Sequence, residues 1–484
     1  MSGTHSFAAF AAIALLASTT HALPQTFRHR RPQWDGAASS DSISVYTPTT
    51  TETSTTFPSL SVEPSHSFLS STAPYGYTAS GFAAAPTSMP VPSQPYPTAS
   101  STNHTSPYQS NGTNETSVNT SKYPAKFRGV NLGAWLVLES WMTPDLFQGT
   151  DATDQWTFDS SDGAEGKLQQ HWSTYEGDFK NMSSWGINAV RIPIGYWAYN
   201  NANTPYITGA DAYLEKAIGW ARQYGMWVMV DCHGSPGSQN GAEHSGHVGA
   251  VSWQADDNLQ LSIEVLQTIA QKYGSLEYAD VVMGIELVNE PKIGDDANSL
   301  STTQWWAAKA YHAVKDKTEN KDLYILHHDG FTGVKSWTDI SAKINNNAAY
   351  DQATFGIDLH LYQNQDDQSK SLSLQQHIDK ACDYVNTDLL PLDSNLPVFV
   401  GEFSAQIDIE NCQDGDWSQE LIDGTRQYFE AMINAYEHSS RGWFVWSLKQ
   451  GSDNGAWSME SIMQNVYGND KVTDRKYPGI CPFG

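Results

Sequence analysis

The chain has 484 residues, enough for one large domain with an appendage or for two domains, so core size sets no limit on the fold. It carries 27 Lys plus Arg against 53 Asp plus Glu, a formal net charge of -26. A surface of that sign repels nucleic acid and anionic lipid and suits a neutral substrate, although acidity that serves solubility alone explains the charge equally well.

In chain order, the first feature is an apolar stretch over residues 7–17, followed by Thr20-His21-Ala22 before Leu23-Pro24. The stretch is too short to cross a bilayer as a helix, and small residues follow it, which predicts a secretory signal peptide over residues 1–22. The destination is then extracellular or cell wall. Arg28-His29-Arg30-Arg31 is either a processing site or a basic patch in an exposed tail.

Residues 23–122 are dominated by Ser, Thr, Pro, Tyr and small side chains without apolar periodicity. Such a stretch cannot bury a core, and it reads as a disordered, glycosylated tail. Sequons cluster near its end at Asn103, Asn111, Asn114 and Asn119, with a fifth at Asn181 inside the region that follows. Residues 477–484 have no apolar tail of the kind that precedes lipid anchoring, so no membrane anchor is expected.

Residues 123–484 alternate strand-like and helix-like segments. Strands are predicted over 127–132, 189–194, 227–231, 281–288, 323–327, 354–359, 397–400 and 442–447. Helical periodicity falls over 210–224, 257–273, 303–317, 373–385 and 418–436. Eight alternations predict an α/β fold of the closed (β/α)8 TIM barrel type, not an open doubly wound sheet, and no phosphate-binding glycine motif competes.

Chemistry in such a barrel sits at the C-terminal ends of its strands. The predicted strands place Arg191, His233, Asn289, Glu290, His360, Tyr362, Glu402 and Trp446 there. Any one of them alone reads as a satisfied core or ion-pair residue. Glu290 suits a helix start before Pro291, and Glu402 suits a structural ion pair with Arg191. Eight at one end outweigh those readings, and two carboxylates facing one mouth suggest a glycosidase.

With those residues in place the chain resembles glycoside hydrolase family 5, and within it the fungal exo-β-1,3-glucanases. Arg191, His233, Asn289-Glu290-Pro291, His360, Tyr362, Gly401-Glu402 and Trp446 match the family's active-site set. Residues 128–133 with 135–139 and 141–147, the HGSPGSQNG segment at 233–241, and 472–475 with Cys481 are similar to that subgroup. The resemblance covers residues 123–484 and leaves the tail unmatched.

It implies a retaining double displacement on β-glucan, with transglycosylation where sugar competes with water. The histidines lack an HExxH or Cys/His ligand spacing and carboxylate chemistry runs without a metal, so no metal or cofactor is expected, and such a barrel can work as a monomer. Glu402 is then the nucleophile. Glu290 is the acid/base, with a pKa raised relative to Glu402. Asn289 binds the sugar 2-hydroxyl, Arg191 and Tyr362 hold Glu402, His233 and His360 position hydroxyls or carboxylates, and Glu139 serves the innermost subsite. Trp446 is the sugar-stacking tryptophan; Trp135, Trp141, Trp253 and Trp457 read first as packing residues.

The resemblance also implies a Cys382–Cys481 bridge. Cys412 matches a bridged family position without a partner, and Cys232 reads as a buried free thiol. Departures lie at the mouth: Ala242, Glu243 and His244 replace a phenylalanine, an aspartate and an asparagine, and the segment after Tyr362 lacks a second entrance phenylalanine. Both members of an aromatic clamp are absent, which leaves exo or endo action and β-1,3 or β-1,6 linkage open. The alternative class is a non-catalytic wall protein that binds glucan with its barrel, a role that does not require both carboxylates.

Overall fold

The computed structural model describes residues 122–255, 257–294, 297–389, 396–409, 417–451 and 455–483. The predicted signal peptide, the predicted tail up to residue 121 with its four sequons, and Cys412 lie outside the described residues.

Eight parallel strands close into a barrel in chain order: β1 (Phe127–Asn131), β2 (Ala189–Gly195), β3 (Trp227–Gly234), β4 (Val282–Glu286), β5 (Tyr324–His328), β6 (Phe355–His360), β7 (Val398–Phe403) and β8 (Gly442–Val445). β8 pairs back onto β1, so no strand edge is left open. Every residue of β4 through β8 is buried, as the unbroken apolar runs in the sequence require of strands covered on both faces.

Helices α1 (Ala164–Trp172) and α2 (Asp178–Ser184) follow β1. α3 (Ala210–Gln223), α4 (Asn258–Tyr273), α5 (Leu300–Lys317), α6 (Thr338–Ile344), α7 (Leu374–Thr387) and α8 (Gln419–Ser439) then fill the successive crossovers. α1, α2 and α6 are absent from the sequence reading because their apolar stripes are thin. Only Ala164, Leu168 and Trp172 of α1 are buried. α7 is cued more strongly: Ser373 and Gln376 form a reciprocal capping box, and His377, Ile378, Ala381 and Tyr384 repeat at helical spacing on its buried face. Asn181 is exposed on α2.

The barrel interior changes character along its axis. At the N-terminal ends of the strands Phe127, Met229, Phe399 and Phe444 pack with Tyr123, Met283 and Tyr324 into an apolar plug. Each such side chain contributes about 1.5–3 kcal/mol by leaving water. Gly129 is required there, because a Cβ would lie 2.1 Å from the Phe444 ring. Two to four residues further along the strands, the inward positions become Asn131, Arg191, Asp231, Glu286, Asp358 and Glu402, all buried. The plug thus forms a dry floor under a charged layer.

The C-terminal segment is tied to the outer ring. The Glu430 carboxylate of α8 accepts from the backbone N–H groups of Lys476 and Tyr477 at 3.0 and 2.6 Å. Cys382 on α7 is bonded to Cys481, 99 residues later in the chain. Cys232 is a buried free thiol, as expected, and burial, with Asp231 adding to it, pushes it up to about 12. Among the described residues no helix is long and apolar enough to cross a membrane.

Replacing Cys382 and Cys481 by Ser together is expected to cost about 2–5 kcal/mol of stability, because the bridge closes a long loop in the unfolded chain. Thermal unfolding of the oxidised wild type beside the double variant measures it. An unchanged melting temperature would show that the bridge contributes nothing.

Candidate active site

The eight strand-end residues of the sequence reading converge on one mouth, with adjustments. Arg191 lies inside β2 and not at its end, and Asn289 and Glu290 follow β4, which stops at Glu286. Tyr362 and Trp446 stand just beyond β6 and β8.

Glu402 reaches the interior through an irregularity in β7. Phe399 faces the plug, so strict alternation would turn residue 401 inward and residue 402 toward the helices. The ladder instead pairs Leu359 with Val400 and His360 with Glu402, and a second register shift separates Val400 from Phe403 on the β8 side. Gly401 is the extra residue. Its N–H donates to Asp358 Oδ1 and its carbonyl accepts from Asn131 Nδ2 at 2.8 Å. This bulge rotates Glu402 into the mouth.

Arg191 is the hub of the charged layer. Its Nε donates to Glu286 Oε2 at 2.7 Å, Nη1 donates to Asn131 Oδ1 and Glu402 Oε1 at 3.0 Å each, and Nη2 donates to Asn289 Oδ1 at 2.8 Å. Asp231 Oδ2 lies 3.2 Å from Nη2. Burial works against the guanidinium's charge, but Asp231, Glu286, Glu402 and Asp358 outweigh it and raise the pKa well above the usual value.

His360 connects the two carboxylates. Its Nδ1 lies 2.6 Å from Glu290 Oε1 and 3.4 Å from Glu402 Oε2, while Nε2 lies 3.3 Å from Asp358 Oδ2. Burial disfavours the imidazolium, yet the charge of Glu402 and the bonds to Asp358 and Glu290 raise its pKa well above the ordinary range. Tyr362 Oη donates to Glu402 Oε2 at 2.7 Å.

Glu290 is held on both sides. His244 Nε2 stands 3.4 Å from Oε2, opposite the His360 bond, and Asn240 Nδ2 donates to the Glu290 carbonyl at 3.1 Å. Its φ of 44° is a left-handed conformation uncommon for glutamate and fixed here by these contacts. Burial alone would lift its pKa, but His244 and His360 together pull it well below the carboxylate range. The sequence reading expected a carboxyl raised relative to Glu402; the pull on Glu290 in this structure is downward. The reason is the pair of histidines bracketing the carboxylate, one of them at the unusual position 244.

Other groups face the same space with capacity to spare. Asn289 Nδ2 and Trp446 Nε1 are buried donors without a protein partner. His233, held by Asp231 at 2.6 Å, stacks on Trp446 with centroids 5.6 Å apart at 11°. Glu139 is buried and accepts from Trp141 Nε1 at 2.7 Å. Trp135 and Trp253 are fully buried core, whereas Trp141 and Trp457 are half-buried and pack edge to face beside Tyr362.

Sequence reasoning missed Asn131, Asp231, Glu286, Asp358 and His328 as members of the site; the available signal was a polar residue within each otherwise apolar strand run. Donor atoms of Glu290, His328 and His360 lie within 4.8 Å of one another, as do those of Glu286, Asp358 and His360. Both ring nitrogens of His360 are already engaged by carboxylates.

Fold and site together define a glycoside hydrolase built on a (β/α)8 barrel. Residues 150–452 match the family model for cellulase (glycosyl hydrolase family 5), and the chain belongs to that family. It is 33% identical over 393 residues to a probable glucan 1,3-beta-glucosidase A of Aspergillus clavatus, covering 73% of this chain and 90% of that protein. It is 35% identical over 402 residues to glucan 1,3-beta-glucosidase I/II of Saccharomyces cerevisiae, covering 73% and 87%. Among solved structures, rutinosidase from Aspergillus niger shares the fold, with a TM-score of 0.59 at 21% identity over 71% of this chain and 97% of that one.

At Gly401 a Cβ would fall 1.8 Å from Asp358 Oδ2. Gly401→Ala is therefore expected to displace Asp358 or straighten the bulge, lowering kcat by about 10²-fold. Steady-state kinetics of the folded variant reads this. Wild-type kcat would mean that the bulge does not aim Glu402.

Proposed function

We propose that the protein is a secreted, retaining β-glucan hydrolase that releases glucose from β-1,3-glucan. The observation that carries the retaining mechanism is the single nitrogen His360 Nδ1, which touches both carboxylates. It bounds Glu290 Oε1 and Glu402 Oε2 to within about 6 Å, which favours the roughly 5–5.5 Å carboxyl spacing of retaining enzymes over the roughly 6.5–9.5 Å of inverting ones. The β-glucan assignment is supported by the names of the relatives, glucan 1,3-beta-glucosidases.

Glu402 attacks the anomeric carbon, oriented by Arg191 on one oxygen and by Tyr362 on the other. The proton for the leaving oxygen rests on the His360–Glu290 hydrogen bond. In the free enzyme it sits on His360, whose imidazolium is sustained mainly by the charge of Glu402. Bond formation at the anomeric carbon consumes that charge, so His360 becomes more acidic and passes its proton through Glu290 to the departing sugar. In the second half water attacks, Glu290 takes its proton, and His360 recovers it as the Glu402 carboxylate is released. Asn289 Nδ2 supplies the free donor for the sugar 2-hydroxyl, and the His233–Trp446 stack walls the innermost subsite. Acceptor sugars that replace water give transglycosylation.

Two measurements test this. Proton NMR during laminarin digestion is expected to show β-glucose as the first-formed product; α-glucose first would exclude retention. Pustulan as a parallel substrate reads linkage, and faster release from it would move the assignment to β-1,6-glucan. Separately, Glu402→Gly is expected to lose turnover and to form an α-glucosyl azide from an activated aryl β-glucoside when azide is supplied. Full activity in that variant would remove Glu402 as nucleophile.

A further inference from the structure

Glu286 ends β4 and is fully buried. Four carboxyl groups crowd the Arg191 guanidinium: Glu286 Oε2 at 2.7 Å, Glu402 Oε1 at 3.0 Å, Asp231 Oδ2 at 3.2 Å and Asp358 Oδ2 at 3.8 Å. One cation cannot neutralise four anions, and the groups differ in their other support. Asp231 has His233 at 2.6 Å, Asp358 has the Gly401 N–H and His360, and Glu402 has the Tyr362 hydroxyl. Glu286 is bonded through Oε2 to Arg191, and its Oε1 is buried without a hydrogen-bond partner. Asp231 Oδ1 is bare as well, but Asp231 has the His233 ring in addition to Arg191, so Glu286 is the carboxyl of the four with the least support for an anion.

We propose that Glu286 is a positioning residue that works as a neutral carboxylic acid. Its carbonyl oxygen anchors the Nε end of Arg191, which aims the opposite edge of the guanidinium at Glu402 and Asn289. Its proton keeps a further negative charge out of the ring, so that the charge of Arg191 remains available to Glu402.

The surroundings of Glu286 are consistent around the barrel. Arg191 faces it from β2, Asp231 from β3, Asp358 and His360 from β6, and Glu402 stands across the guanidinium on β7. On β5 its ladder partner is the apolar Leu326, and the buried His328 of that strand packs on the His360 ring with centroids 4.2 Å apart. Burial outweighs the pull of Arg191, and Asp358 and Asp231 add to it, so the carboxyl titrates well above its ordinary range.

The inference rests on Glu402 being the nucleophile, and its test is separable from the azide experiment. Glu286→Leu and Glu286→Gln are made in the full chain, and kcat and KM for an aryl β-glucoside are followed across pH. The leucine variant leaves Arg191 Nε without an acceptor. Its kcat is expected to fall by about 10²-fold with a smaller change in KM, as misorientation of a reacting group requires. The acidic limb of its pH profile should move upward as Glu402 loses its cation. An amide reproduces the neutral acid, so Glu286→Gln should recover most of that loss and restore the acidic limb.

Infrared difference spectra between wild type and Glu286→Gln at neutral pH should show a protonated carboxyl band present only in the wild type. A folded glutamine variant as impaired as the leucine variant would overturn the proposal, as would a leucine variant with wild-type kcat and pH limbs. Should the leucine variant fail to fold, absence of the infrared band overturns it alone. If azide rescue fails while the band and the contrast between the two variants hold, the nucleophile assignment falls and the neutral Glu286 stands.

Discussion

The site is organised by a shortage of positive charge. Arg191 is the guanidinium around which carboxyl groups from β3, β4, β6 and β7 are gathered, with the His360 ring against Asp358 and Glu402 and the His233 ring bonded to Asp231. Burying that many acids is costly unless each finds a donor or a proton. The structure meets the demand with all edges of one guanidinium, a backbone N–H from a bulge and a tyrosine hydroxyl. The apolar plug beneath the layer keeps these interactions in a medium of low polarity, where they are strong and their geometry is rigid.

This shortage also explains how protons are handled. His360 draws its raised affinity for a proton first from Glu402 and then from Asp358 and Glu290, and Glu290 is bonded to the ring nitrogen that faces Glu402. Any event at Glu402 is therefore felt at Glu290 through one imidazole. A carboxyl raised by burial alone would hold its proton without reference to Glu402. The bracketed carboxyl found here instead links the two carboxylates of the pair.

Much of this was legible in the chain. The eight strands were readable because buried parallel strands leave uninterrupted apolar runs, and the helices with wide apolar stripes were readable from their period. Glu290 and Glu402 were visible because each follows such a run. Glu286 was hidden for the same reason: Leu287 and Val288 extend the run past it, so it passed as a strand interior. Asp231 and Asp358 were overlooked beside the more conspicuous His233 and His360. Nothing local announced the bulge at Gly401, since a glycine before a glutamate is equally compatible with regular pleating, and only the ladder partners on both sides reveal it. The short helices α1, α2 and α6 escaped because packing, not periodicity, sustains them.

The bulge at Gly401 also separates two kinds of change that such an enzyme can undergo. The direction of Glu402 is set within the sheet, by a backbone irregularity locked to Asp358 and Asn131. The loop that carries Ala242 and His244 is attached elsewhere, through Asn240 to the Glu290 backbone. Glu402 is thus aimed from within the sheet, with Tyr362 and His360 at its other oxygen, while Glu290 is also joined through its backbone to the loop at 240–244. Under the proposed roles, a change in that loop would reach proton delivery at Glu290 directly and the line of attack from Glu402 only through His360.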